Sequence, residues 1–126
     1  MERALLVSVK IKTQKDNWRL EEMSDELEEL ALSSGAVIIE SISCMIEKPT
    51  PNFFIGRGKT QEIALICQSL SIDTVIFGKD LSGTQQRNLE GVIGKKTIDR
   101  TQLILDIFAR HARSSEGKMQ VELAQL

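Results

Sequence analysis

The stretch that decides the fold is residues 59–98, KTQEIALICQSLSIDTVIFGKDLSGTQQRNLEGVIGKKTI. Four of its apolar residues share one helical face: Ile63, Ile66, Cys67 and Leu70. Their spacing predicts a helix over 59–70, and the compact β-branched run 74–77 predicts a buried strand that ends at Gly78. A second helix and a short strand over 96–98 repeat the alternation. Strands joined through helices pair in parallel, so this stretch predicts a parallel sheet.

The second helix of that stretch carries its own boundary signals. Ser82 followed by Gln85 is a capping-box pattern, and Gly94 can end the helix in a left-handed conformation. Its apolar residues Leu89, Val92 and Ile93 should face the sheet.

The same alternation continues toward the N-terminus. Residues 3–9 (RALLVSV) and 36–46 (AVIIESISCMI) predict strands, the second of them stopped by prolines at 49 and 51. Residues 18–32 predict a helix that Asn17 caps and Gly35 closes. Six carboxylates cover the outer face of this helix, and we interpret them as a solvated surface with no catalytic role.

Together these elements predict an α/β fold. We expect a four-stranded, mostly parallel sheet in the order 2-1-3-4 with helices on both faces, formed by residues 1–98. Residues 99–126 should form a long helix that is capped by Asp99. Its predicted inner stripe is Leu103, Ile104, Ile107, Phe108 and Ala112, with a weak point at 114–117. Beyond that point Met119, Leu123 and Leu126 form an uncapped stripe, which predicts that the helix continues in a longer parent protein.

The composition is that of one ordinary globular domain. The chain has 126 residues, of which 41% are hydrophobic and 27% charged. Its apolar runs are far shorter than the roughly 18 residues that a transmembrane helix needs, and it begins with no secretory leader, so we expect a cytoplasmic protein without a transmembrane segment. Cys44 and Cys67, with a single histidine, predict buried thiols and no metal site.

One glycine-rich motif could hold a phosphate. Residues 53–60 read FFIGRGKT, in which Gly56, Arg57, Gly58, Lys59 and Thr60 would surround a helix start. The last three imitate the end of a P-loop, G-x-x-x-x-G-K-[ST], but Phe53 stands where the first glycine is required. A true P-loop is therefore not predicted. A weaker anion site and glycines that serve only turn geometry both stay open.

Basic residues are concentrated after residue 47, where they exceed the acidic ones by three, whereas acidic residues exceed basic ones by five before that point. Five of them could contact an RNA backbone: Arg87, Arg100, Arg110, Arg113 and Lys118. The alternative is that they solvate the last helix and pair with Asp106 and Glu116. Aromatic residues make up only 4% of the chain, so any RNA would be recognised by its shape and phosphates. No catalytic residue is predicted, and His111 is interpreted as a surface or capping residue.

Three segments resemble one known family. The run 99–126, DRTQLILDIFARHARSSEGKMQVELAQL, is similar to the signature that precedes the G domain of HflX-type GTPases. FIGRGK (54–59) and QQRNL (85–89) resemble two further motifs of that family in the same order. The resemblance implies an N-terminal α/β domain, a helical hairpin and a GTPase domain that hydrolyses GTP with Mg2+. It also implies binding to rRNA on the large (50S) ribosomal subunit, and a role in ribosome splitting, rescue or biogenesis under stress.

The chain departs from that family pattern in what it lacks. It contains no complete G-x-x-x-x-G-K-[ST] and no N-K-x-D, so this segment is not expected to be the enzyme or to carry GTP and magnesium itself. The resemblance implies that it docks on rRNA and restrains or senses its own GTPase domain. It also points to an adenine-nucleotide (ATP) site at Gly56 to Lys59 as the alternative function. The oligomeric state stays open.

Overall fold

The computed structural model describes the backbone of residues 2–125 and the side chains of residues 2–112. Strands and helices alternate along the chain: β1 Arg3–Ile11, α1 Leu20–Ser33, β2 Val37–Ile46, α2 Arg57–Leu70, β3 Thr74–Phe77, α3 Gly83–Ile93, β4 Lys96–Ile98 and α4 Arg100–Gln125. This confirms the predicted α/β class and the predicted sequence of elements.

The four strands form one sheet in the order β2-β1-β3-β4, and every neighbouring pair is parallel. The predicted order is therefore confirmed. Strand β1 pairs with β2 along its whole length, from Arg3 opposite Val37 to Ile11 opposite Ile46, with one register shift after Ala4. Its other edge pairs with β3 from Ala4 to Val7. Strand β1 is thus paired along both edges, like β3, and this interior position explains its nearly unbroken apolar character.

Each face of the sheet is closed by a pair of helices. Helices α2 and α3 cover the face that carries Leu5, Val7 and Val9, and helices α1 and α4 cover the face that carries Ala4 and Leu6. Successive side chains of a strand point to opposite faces, so β1 contributes buried residues to both hydrophobic clusters, as β3 also does.

Most of the local boundary signals are confirmed. Ser82 and Gln85 form the complete capping box at the start of α3, and Gly94 ends that helix with φ of 74°. The Asn17 cap is wrong, because α1 begins at Leu20 after Arg19 and has no side-chain cap. Trp18 is held outside the helix instead. Its backbone N–H donates to Asp16 Oδ1 at 3.0 Å, and its backbone carbonyl accepts from the Lys10 ammonium group.

The predicted inner stripe of α4 holds only near the start of the helix. Leu103 is fully buried and Ile107 packs beside it, but Phe108 is 66% exposed and Ala112 is exposed as well. Because β3 and β4 have only four and three residues, the sheet supports only the first turns of α4. The predicted stripe of Met119, Leu123 and Leu126 lies outside the described side chains.

Both cysteines are buried and neither forms a disulfide, as the sequence predicts. Burial raises the pKa of the Cys44 and Cys67 thiols above the usual range. The Cys44 thiol donates to the carbonyl of Ser8, 3.7 Å away. Among the helices within residues 2–125, none combines the length and apolar character needed to cross a bilayer.

Candidate anion and nucleic-acid interface

Two helices begin side by side at the carboxyl edge of the sheet. Helix α2 follows β2, helix α3 follows β3, and the two helices pack against each other on one face. Neither helix carries an acidic residue in its first turn. Since the N-terminus of a helix has a partial positive charge and free N–H groups, this edge attracts anions.

The loop before α2 has a defined shape. Thr50 and Phe54 exchange two backbone hydrogen bonds of 2.9 and 3.0 Å, which close a short antiparallel turn. Phe54 has φ of 59°, a left-handed conformation that non-glycine residues rarely adopt. Its buried ring meets the ring of Phe77 edge to face, with centroids 6.5 Å apart. Ring packing therefore stabilises the backbone conformation that leads into α2.

Side chains of α3 hold the same loop from outside. The Gln85 amide donates to the carbonyl of Thr50 at 2.9 Å, and the Asn88 amide donates to the carbonyl of Asn52 at 3.0 Å. The segments 54–59 and 85–89, which the sequence analysis singled out separately, thus belong to one assembly. The capping-box spacing predicts that Gln85 caps the start of α3. No sequence signal indicates that Gln85 and Asn88 also bind loop carbonyls 35 and 36 residues earlier in the chain.

The predicted phosphate motif lies at the start of α2. Gly56 is the N-cap with φ of 88°, and Arg57 is exposed in the first turn. In the described part of the chain, no heavy atom beyond the immediate neighbours comes within 4 Å of where a Cβ on Gly56 or Gly58 would lie. Lys59 forms an ion pair with Glu62 at 3.3 Å. Thr60 is fully buried and its hydroxyl donates to the Gly56 carbonyl at 2.7 Å, so that hydroxyl is committed to the helix.

The predicted RNA-contacting residues are distributed over two edges of the sheet. Arg87 is exposed near the start of α3, where its guanidinium lies 3.5 Å from the Thr84 hydroxyl. Arg100 begins α4 at the same edge but forms an ion pair with Glu26 of α1. Arg110 lies about 15 Å further along α4, with its guanidinium against Gly35 at the amino edge. The side chains of Arg113 and Lys118 lie outside the described residues.

The start of α4 is fixed by two neighbouring carboxylates. Asp99 caps the helix as predicted: its Oδ1 accepts from the Gln102 N–H at 3.0 Å, and its Oδ2 accepts from the Leu81 N–H at 3.1 Å. Asp80 accepts from both the N–H and the hydroxyl of Thr101, at 3.1 and 2.7 Å. Residues 80–83 match the D-x-x-G spacing that GTPases use, but here Asp80 and Ser82 serve as helix caps.

No catalytic constellation is visible among the described residues. In that part of the chain no three His, Cys, Asp or Glu side chains converge in a way that could hold a metal ion. His111 is exposed on α4. The described surface does present two helix N-termini and exposed arginines, which are groups that can bind anions.

Comparison with protein families and curated proteins gives a consistent result. A family model described as "GTP-binding GTPase N-terminal" matches residues 21–109. The GTPase HflX of Caldanaerobacter subterraneus is 45% identical over 125 residues, which cover 99% of this chain and 28% of that protein. The GTPase HflX of Escherichia coli is 43% identical, with the same coverage. The chain spans less than a third of the length of these relatives.

Solved structures agree with the sequence matches. A complex titled "SsGBP and GDP" has a TM-score of 0.69 and 28% identity, covering 99% of this chain and 34% of that one. A GTP-binding protein from Sulfolobus solfataricus in complex with GDP has a TM-score of 0.65 and 28% identity, covering 99% of this chain and 36% of that one.

Proposed function

Because the chain belongs to the HflX GTPase family, in which it matches the N-terminal domain, we propose that it is the ribosome-docking and regulatory domain of a GTP-hydrolysing protein. The parent protein would associate with the large ribosomal subunit in the cytoplasm and act in ribosome splitting, rescue or biogenesis under stress. The observation that carries this proposal is a match along almost the whole chain to a minor part of GTPases HflX.

GTP hydrolysis, with GTP and Mg2+ as its ligands, belongs in this proposal to the remainder of the parent. The 126 residues contain neither a complete G-x-x-x-x-G-K-[ST] nor an N-K-x-D. Two more features support a docking role: the exposed start of α2 and α3, and the arginines on α3 and α4. We propose that rRNA phosphates are contacted by Arg87, Arg100, Arg110, Arg113 and Lys118. Arg57, in the first turn of the adjacent helix α2, would be a further contact at the carboxyl edge.

Salt dependence tests the electrostatic part of this proposal. The 126-residue chain is sedimented with purified large ribosomal subunits at increasing KCl. Contacts with phosphates release counterions, so the logarithm of the affinity should fall linearly with the logarithm of the salt concentration. The double variant Arg57→Glu and Arg87→Glu should bind at least about tenfold more weakly.

Lys95→Glu is the matched control, because Lys95 is an exposed basic residue that is not among the proposed rRNA contacts. The Lys95→Glu chain should bind large ribosomal subunits with nearly the same affinity as the unaltered 126-residue chain. Binding that is insensitive to salt and survives the Arg57 and Arg87 reversals would reject the phosphate contacts. A complete lack of binding to the subunit would reject docking through this domain.

An adenine-nucleotide site at Gly56–Thr60 is the second candidate function. It is favoured by the open space around Gly56 and Gly58 and by the first turn of α2, which lacks carboxylates. The Thr60 hydroxyl is buried and donates to the Gly56 carbonyl, so the nucleotide phosphates would be bound by backbone N–H groups, Arg57 and Lys59. ATP and GTP are titrated while the backbone amide resonances of Gly56, Gly58 and Lys59 are followed. Unchanged resonances at millimolar nucleotide would remove this candidate without affecting ribosome docking.

A further inference from the structure

A cavity lies where the strand order of the sheet reverses. From the central strand β1 the chain moves outward to β2 and then returns across β1 to β3. In open α/β sheets, ligands bind outside the carboxyl ends of the strands at this reversal. A cavity of about 260 Å3 occupies that place, between the ends of β1 and β3 and the helices α1 and α4. It lies on the face opposite α2 and α3, apart from the anion interface described above.

The aromatic wall of the cavity is held in place by the backbone. Trp18 is the single tryptophan of the chain and is 48% exposed beside the cavity. The backbone N–H of Trp18 donates to the Asp16 carboxylate, and the backbone carbonyl of Trp18 accepts from the Lys10 ammonium group. Lys10 and Asp16 also approach each other at 3.8 Å. These bonds fix the backbone of Trp18, and its large exposed indole offers a flat surface for a ligand.

Most charged groups around the cavity are already paired within the protein. Glu26 of α1 binds Arg100 of α4, and Asp80 accepts two hydrogen bonds from Thr101. Lys79 differs from these groups. Within the described residues it forms neither a side-chain hydrogen bond nor an ion pair, although it is only partly exposed at the cavity. Among the described residues that line the cavity, Lys79 is therefore the charged group whose side chain has no partner in the protein and can pair with a ligand.

Gly78 lies at the base of the cavity, close to its neighbours. A Cβ on Gly78 would lie 3.3 Å from Leu27 and 3.6 Å from the carbonyl of Val7. The Gly78 N–H donates to that carbonyl at 2.9 Å, which continues the β1–β3 pairing to the lip of the cavity. Lys79 follows directly, so its backbone position is set by the sheet.

We propose that this cavity binds a small organic anion with a flat apolar ring. Its carboxylate or phosphate pairs with the Lys79 ammonium group, and its ring lies against Trp18 and Met23. The volume is slightly below the roughly 300–1,000 Å3 of pockets for drug-sized ligands, which restricts the ligand to a compact molecule.

Intrinsic fluorescence of the 126-residue chain tests the proposal directly, because Trp18 is its single tryptophan. The probes are benzoate and phenyl phosphate, which share a ring and differ in the anion. Benzyl alcohol serves as the uncharged control, and inorganic phosphate as the control without a ring. We expect a saturable change of Trp18 emission with at least one aromatic anion, and a dissociation constant at least fivefold weaker for both controls.

Variants show whether Lys79 carries the recognition. Lys79→Gln should weaken binding of the aromatic anion at least fivefold, and the exposed Lys95→Gln at the opposite edge should leave it unchanged. Resonance shifts at the amides of Gly78 and Lys79 provide a second readout of the location. The proposal is overturned if no probe gives saturation up to about 20 mM, well beyond millimolar affinity. It is equally overturned if benzyl alcohol binds as tightly as benzoate or if Lys79→Gln has no effect.

Discussion

Removing the Asp99 carboxylate should destabilise the domain by more than the loss of a helix N-cap alone, because this carboxylate also accepts a hydrogen bond from outside the helix. The side chain is only 7% exposed, and its two oxygens accept from N–H groups of different elements, Gln102 in α4 and Leu81 before α3. Asp99→Ala removes a helix N-cap, which costs about 1 kcal/mol, and leaves the Leu81 N–H without its partner, which costs about 1–2 kcal/mol more. We therefore expect a loss of about 2–3 kcal/mol in the free energy of unfolding.

Urea denaturation followed by circular dichroism measures this loss as a lower midpoint at unchanged slope. Asp73→Ala is the matched control, because Asp73 also accepts a backbone N–H, from Arg3 at 2.9 Å, but is exposed. That variant should cost less than about 1 kcal/mol. Equal losses for the two variants would refute the reasoning, since burial and the second acceptor bond would then contribute nothing.

Three further predictions test the packing, the loop and the thiols. Leu103→Ala should cost about 3–5 kcal/mol because Leu103 is fully buried, whereas Leu105→Ala, at a 59% exposed position, should cost less than about 1 kcal/mol in the same urea assay. Gln85→Ala should lower stability by about 1–2 kcal/mol and speed hydrogen exchange in the loop before α2; unchanged exchange there would contradict the observed bond to that loop. Burial raises the pKa of the Cys44 and Cys67 thiols in the folded chain, so on raising the pH the thiols of the unfolded chain lose their protons before those of the folded chain do. The free energy of unfolding should therefore fall as the pH rises through the pKa of the thiols in the unfolded chain. Urea midpoints between about pH 7.5 and 9.5 should fall less in a variant with alanine at both positions.

The helices and strands could be predicted because their signals are local, whereas the strand order 2-1-3-4 is the preferred one among several parallel arrangements. The stripe through Ile63 and Cys67, the capping box at Ser82 and the terminal glycine Gly94 each act within a few residues. Helical crossovers then restrict the topology to parallel neighbours. These features needed no knowledge of distant contacts, and all of them are found in the structure.

Apart from the local Asn17 cap, the errors and omissions concern contacts between distant positions. The exposure of Phe108 depends on the short lengths of β3 and β4, which the pattern of α4 itself does not contain. The partner of Arg100 is Glu26, 74 positions away, and not the neighbouring Asp106. The left-handed Phe54 follows from a turn that α3 holds in place, and no residue type there indicated it. The cavity beside Trp18 and Lys79 likewise arises only when β1 and β3 become neighbours.

The central position of β1 has a consequence for synthesis of the protein. This strand leaves the ribosome before both of its neighbours, and the later of them, β3, ends at Phe77, 66 residues after Ile11. At about 5–20 residues per second, the nascent strand waits roughly 3–13 s before both of its edges can be occupied. During that interval its aliphatic side chains and backbone groups are open to other nascent chains, so slower translation through residues 12–77 should increase co-translational aggregation.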